Sequence, residues 1–199
     1  MPLSIMYGVV GCLVATSLTL MVLSAGDIVY HVQYVDATVS QTNNSSIISE
    51  MIQNGNTLFN TSEYDKAMTT FDQVLKLDSR SVDALNGKGL VFNNLGKYQE
   101  AISLFDMALK IDPNFVETLN NKGMALSNLG KYQEAISLFD MALKIDPNFV
   151  DALYNKADAL VELGSYEEAF IWTEKALAID TAKQNTSMST STLLPNEIN

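Results

Sequence analysis

The chain has 199 residues, is 47% hydrophobic and carries a formal net charge of −11, from 23 acidic against 12 basic side chains. That balance argues against a nucleic-acid role, which needs Lys and Arg to displace phosphate counterions, and it suits a neutral or basic partner. Cys12 is the only cysteine and His31 the only histidine, so no intramolecular disulfide or Cys-based zinc site can form, and little is available for acid–base or metal chemistry.

The first element is apolar. Met1 to Gly26 has no charged side chain, and only Ser4, Thr16, Ser17, Thr19 and Ser24 interrupt the run from Leu3 to Ala25. About 20 such residues, as a helix, cross a hydrocarbon core roughly 30 Å thick. Residues 1–26 are therefore read as a transmembrane anchor. An n-region without Lys or Arg, and so long an apolar stretch, depart from a cleaved signal peptide. Ser24-Ala25-Gly26 is nonetheless suited to cleavage, and a signal segment stays open as the alternative. No Lys or Arg occurs before Lys66, so flanking charge encodes orientation weakly. With Asp27 and Asp36 following the segment, the expectation is a membrane-anchored protein whose remainder lies outside the cytoplasm, or a secreted one after signal cleavage. Sequons at Asn43, Asn44, Asn60 and Asn185 permit glycosylation there. Residues 27–47 form a polar linker in this reading, with Asp36–Ser46 a flexible spacer.

From residue 48 the chain repeats itself. GKYQEAISLFDMALKIDPNFV stands at Gly96–Val116 and again, identical, at Gly130–Val150, offset by 34 residues. The frame recurs as GSYEEAFIWTEKALAID from Gly164 and as SEYDKAMTTFDQVLKLD from Ser62. Within one unit the apolar residues Ala101, Ile102, Leu104, Phe105, Ala108, Leu109 and Ile111 follow helical spacing. One helical hairpin cannot bury such a face, whereas stacked hairpins share a continuous core. The units start in register at Ile48, Val82, Val116 and Val150, giving repeats over 48–81, 82–115, 116–149 and 150–183.

This pattern resembles the tetratricopeptide-repeat family. Gly96 and Gly130 with Tyr98, Tyr132 and Tyr166 mark the turn between a helix A and a helix B. Ala67, Ala101, Ala135 and Ala169 stand where the two helices touch, and Phe71, Phe105 and Phe139 fill the core with Ala108, Ala142 and Ala176. Small Gly55, Gly89, Gly123 and Ala157 stand in helix A, and Asp-Pro at 112–113 and 146–147 ends helix B. The resemblance implies an all-α solenoid of about four helix-turn-helix repeats. Some positions depart from the family pattern. Lys88, Lys122 and Lys156 replace the usual helix-A Leu, each expected to lay its stem on the core while its ammonium reaches water. Thr173 replaces the core Phe in the fourth repeat. The first repeat lacks the turn Gly, having Ser62, and is expected to be the weakest.

The resemblance further implies that helix A lines a concave, partner-binding face. Its rows in this chain are Ser49, Asp83, Glu117 and Asp151; Ile52, Asn86, Asn120 and Tyr154; Asn56, Leu90, Met124 and Asp158; and Phe59, Asn93, Ser127 and Val161. Asn side chains can bond a peptide backbone through donor and acceptor alike, and Leu90 and Met124 offer apolar contact. The candidate groove residues are therefore Asn86, Leu90, Asn93, Asn120, Met124, Tyr154 and Asp158. Family members that grip a C-terminal carboxylate do so with Lys and Arg, which these rows lack; an acidic groove suits a neutral or basic segment.

The open end is a second candidate surface. No amphipathic capping helix is legible after Asp180, so Ile171 and Trp172, beside Phe170 and Leu177, are expected to stay partly exposed and to serve docking or self-association. Residues 184–199, rich in Ser and Thr, read as a disordered tail. No phosphate loop, metal cluster or nucleophile motif is found, so an enzyme, a metal and a cofactor are not expected. The leading expectation is a membrane-tethered scaffold that binds a protein or peptide through its groove. The rival is a structural subunit that self-associates within a membrane complex.

Overall fold

The structure, a computed structural model, describes residues 44–191, with side chains as far as 184. Eight helices follow one another: α1 over 44–60, α2 Tyr64–Leu77, α3 Val82–Asn94, α4 Tyr98–Ile111, α5 Val116–Asn128, α6 Tyr132–Ile145, α7 Val150–Glu162 and α8 Tyr166–Ser191. They pair as hairpins α1–α2, α3–α4, α5–α6 and α7–α8, and each hairpin packs on the next. The odd helices also approach one another, α3 touching α5 and α5 touching α7. Among the described residues α2, α4, α6 and α8 do not touch. The odd helices are thus the closer spaced, and the stack curves toward them. They are the A helices of the expected repeats, and they line the inner face.

Each hairpin closes through the same turn. Gly96, Gly130 and Gly164 hold φ of 73°, 75° and 76°. The amide after each reaches back to the last helical turn, as in Lys97 N–H to Phe92 O at 2.9 Å and Lys131 N–H to Leu126 O at 2.9 Å. That pattern satisfies carbonyls the helix end would leave bare. Ser62 takes the same left-handed conformation, φ 62°, and closes the first hairpin with Glu63 N–H to Leu58 O at 2.8 Å. The first repeat therefore forms without a glycine, but its Cβ strains the turn.

The core is built on one contact. Phe71, Phe105 and Phe139 are fully buried, and each ring lies on the backbone of the A helix in its own hairpin. A Cβ at Gly55 would come within 2.7 Å of Phe71 Cε1, and Gly89 and Gly123 meet Phe105 and Phe139 at least as closely. Ala157 occupies this position in the fourth hairpin, and there the ring is absent, Thr173 standing in its place. Thr173 is exposed, its hydroxyl bonded to Ala169 O at 3.0 Å. The indole of Trp172 instead packs on both of the neighbouring apolar clusters.

Between hairpins, Asp78, Asp112 and Asp146 end their helices and accept the amide two residues on, from Arg80, Asn114 and Asn148, each at 2.9 Å. Such an Asx turn supplies the acceptor that redirects the chain. Asp180, the fourth in this series, is engaged differently: its carboxylate accepts the Tyr154 hydroxyl at 3.2 Å. No proline follows it, and α8 runs on to Ser191. The tail expected to be disordered from Gln184 is accordingly helical to 191, because nothing in Thr181–Ser191 breaks a helix. At the other end the linker is also shorter than expected, since α1 is already helical at 44. Asn44, Ser45 and Ser46 are residue types that favour a helix start, and Ile47 and Ile48 open the apolar stripe. The Leu3–Ala25 segment lies outside the described residues. Among the described residues no helix is long and apolar enough to cross a membrane.

Two stability effects are expected in urea unfolding of the full chain. Ser62→Gly relieves the left-handed serine and gains about 0.5–1 kcal/mol. Gly123→Ala drives a methyl into the Phe139 ring and loses about 1–3 kcal/mol. Combined with Phe139→Leu, it costs less than the two single losses summed; strict additivity would disprove the ring-on-backbone contact.

Candidate partner-binding surface

The inner face carries fewer free amide oxygens than its sequence suggests. Asn86 Oδ1 accepts both Thr118 Oγ1 and Asn121 Nδ2, each at 3.0 Å. One repeat later Asn120 Oδ1 accepts Asn155 Nδ2 at 2.8 Å, and Asn120 itself is 4% exposed. Asn93, also buried, accepts Asn128 Nδ2 at 3.4 Å. These amides form a ladder that ties α3 to α5 and α5 to α7. The carbonyl oxygens of Asn86, Asn93 and Asn120, residues expected to read a peptide backbone, are used on the seam between repeats. Tyr154 is likewise engaged with Asp180. Burial raises its pKa first, and the adjacent carboxylate raises it further.

A second ladder runs through the lysines. Lys88 Nζ meets Asp72 at 2.5 Å, Lys122 meets Asp106 at 2.6 Å and Lys156 meets Asp140 at 2.6 Å, each pair joining an even helix to the following odd one. The expectation that these ammonium groups reach water is corrected at Lys156. Its side chain is 6% exposed, against 20% and 22% for Lys88 and Lys122. The ammonium sits 3.7 Å from the Trp172 ring centroid. A cation over an indole face is attracted by the ring quadrupole, so the indole stands in for solvent. Trp172 is half-buried, and Ile171 is 63% exposed.

What remains open lies between α5 and α7. Met124, Ser127, Asn128, Tyr132, Asn155, Asp158 and Glu162 line a cavity of about 280 Å³, with Phe139 at its floor. Asp158 and Glu162 are exposed, one helical turn apart. Tyr132 Oη donates to Glu162 Oε2 at 3.3 Å, and the carboxylate charge holds the phenol above its ordinary pKa. Ser127 Oγ is buried and makes no hydrogen bond among the described residues. Of the residues named from sequence, the structure brings Met124 and Asp158 to this cavity; Leu90 is half-buried on α3. Glu162, Asn128, Asn155 and Tyr132 were not among the candidates. Glu162 and Asn128 lie one helical turn past Asp158 and Met124, so extending the mapped rows by a turn would have found them. Among the described residues no group of three or more His, Cys, Asp or Glu is placed to hold a metal ion.

Three tetratricopeptide-repeat models match the sequence, over residues 52–114, 116–149 and 138–170. This chain is a tetratricopeptide-repeat protein. Its repeat array is similar to a crystal structure of MamA, at 19% identity and a TM-score of 0.60, covering 83% of this chain and 99% of that one. It is similar to MamA 41-end from Desulfovibrio magneticus RS-1, at 21% identity and a TM-score of 0.59 over 68% of this chain and 76% of that chain. A mutant O-GlcNAc transferase of Thermobaculum terrenum matches at 21% identity and a TM-score of 0.57, over 59% of this chain and 22% of the transferase. At such identities the likeness is one of fold. Comparison with curated proteins finds no match. Tetratricopeptide-repeat arrays are protein-interaction scaffolds, and the arrangement of this one accords with that role.

The lysine ladder of this tetratricopeptide-repeat array makes a graded prediction for urea unfolding. Asp140→Asn strands a nearly buried ammonium and is expected to cost about 1–3 kcal/mol. Asp72→Asn, whose Lys88 keeps more solvent, is expected to cost about 0–1 kcal/mol. Equal losses at the two sites would show that burial of Lys156 is not what sets the energy.

Proposed function

We propose that the chain is a membrane-tethered scaffold that holds a protein or peptide segment on its odd-helix face, a basic group of that segment entering the α5–α7 cavity. The observation that carries this reading is the cavity's makeup. Asp158 and Glu162 supply negative charge there, and the unpartnered Ser127 Oγ supplies hydrogen-bonding capacity. A Lys or Arg side chain matches that set, since it donates to carboxylates and a hydroxyl and carries the opposite charge. Met124 offers an apolar wall for its stem. A carboxylate-bearing segment would be repelled, because the charged residues at this opening, Asp158 and Glu162, are acidic and the lysines behind it are paired to aspartates.

The tether is the Leu3–Ala25 segment, whose length and lack of charge suit a membrane-spanning helix. The repeats lie outside the cytoplasm in this proposal, and cleavage after Ser24-Ala25-Gly26 would release them instead. Protease protection of the full chain in sealed native membranes decides the side. Proximity labelling with the full chain as bait tests the groove. Asp158→Lys with Glu162→Lys is expected to lower recovery of the main interactor at least tenfold, while Ser137→Lys on the outer face leaves it unchanged. Recovery unaffected by the double substitution would remove the groove from the mechanism.

A further inference from the structure

Between hairpins the array uses one interface repeatedly, and both of its ends expose half of it. Where α4 meets α5, three pairs lie across the seam: Ile102 with Leu126, Asp106 with Lys122, and Leu109 with Leu119. Where α6 meets α7 the same positions hold Ile136 with Leu160, Asp140 with Lys156, and Leu143 with Leu153. Inside the array the apolar members on the odd helices are 0–6% exposed, and Ile102, Ile136 and Leu143 are 6–8% exposed.

At the last helix the equivalent positions are Phe170, Glu174 and Leu177. Nothing described covers them: Phe170 is 64% and Leu177 53% exposed. At the first helix the complementary positions are Leu58, Asn54 and Met51, with Asn54 exposed and the other two half-buried. Beside Leu58 a cavity of about 470 Å³ opens between α1 and α2, lined by Asn54, Leu58, Asp65, Lys66, Thr69, Thr70 and Gln73. The corresponding internal groove is lined by Lys122, Leu126, Glu134, Ser137 and Leu138, and it also holds Gln99, Ile102 and Asp106 from the preceding helix. The α1–α2 cavity is thus a repeat interface with no preceding helix among the described residues.

We propose that this cavity receives α8 of a second copy of the chain, so that copies join head to tail in the register of the internal repeats. Phe170, Glu174 and Leu177 of one copy then meet Leu58, Asn54 and Met51 of the next. Charge favours the match. Glu167 stands where Gln99 stands internally and comes opposite Lys66, whose ammonium it shares with Glu63 of the same copy, and Asn54 donates to Glu174 where a lysine serves the internal seams. The contact joins different surfaces and repeats without closing, so it builds an open series rather than a two-fold dimer. The surface is independent of the α5–α7 cavity.

The test uses the full chain in detergent, followed by sedimentation velocity over a range of concentrations, with circular dichroism to check folding. The probe is a second copy of the chain itself. Asn54→Glu blocks the first end by opposing Glu174, and Phe170→Glu blocks the last; both residues are exposed. The doubly substituted chain sets the monomer baseline. Each single variant is expected to match that baseline, and an equimolar mixture of the two to form a dimer. Asn54→Lys restores the internal lysine–acid pair across the junction and is expected to tighten association about two- to fivefold. The proposal is overturned if the parent chain sediments as the double variant does, if Asn54→Glu associates as the parent does, if the mixture gives no dimer, or if Asn54→Lys changes nothing.

Discussion

A benzyl ring packed against a bare stretch of helix backbone is the contact on which the array depends. The ring fills the space inside a hairpin only if the facing residue has no side chain, and the glycine is tolerated in mid-helix, at a cost of roughly 1 kcal/mol, only because the ring covers it. The pairing holds where both partners change: Ala157 in the last hairpin goes with Thr173, and the aromatic bulk moves one residue over to Trp172. It also brings the odd helices close enough for their amides to bond across the seam. The inner face is therefore set by the ring-on-glycine contact beneath it.

Polar side chains then hold the repeats in register. Amides bridge the inner side of the seams and lysine–aspartate pairs the other, joining residues 35 and 16 positions apart. Neither ladder need contribute much net stability, since exposed ion pairs give about 0–1 kcal/mol and neutral hydrogen bonds about 1 kcal/mol. Their effect is specificity, because a slipped or rotated hairpin would bury an amide or an ammonium without a partner. The same economy governs recognition. Groups used to align the repeats are not available to a partner, and the inner surface keeps its open polarity where Asp158, Glu162 and Ser127 are left over.

The ends of a solenoid face a constraint its middle does not. An internal repeat has two neighbours, so apolar residues on both sides are buried. The last hairpin answers in part: Thr173 replaces a ring that would have been half uncovered, and Lys156 folds over Trp172. Phe170 and Leu177 keep their internal character with no covering neighbour among the described residues. Such residues cost solubility unless something covers them.

Local sequence by itself determined the repeat period, the helical state, the hairpin turns and the residues of the core. Each of those depends on near neighbours: Phe105 and Ala101 share a helix face through 3.6-residue periodicity, and Gly96 turns the chain because it alone lacks a Cβ. Helix ends were legible for the same reason at Asp112-Pro113 and Asp146-Pro147, but not at Asp180, whose carboxylate is drawn to Tyr154 on another helix. The residues that define the candidate site were only partly legible. Asp158 and Met124 could be placed on the inner face by counting, whereas Asn86, Asn93 and Asn120 look identical in sequence whether they meet a partner or each other. Which of these occurs is fixed by the angle and spacing of stacked helices, a property of the tertiary structure, as is the position of the Lys156 charge between a carboxylate and an indole. Periodicity tells which way a side chain faces; only packing decides what stands opposite it.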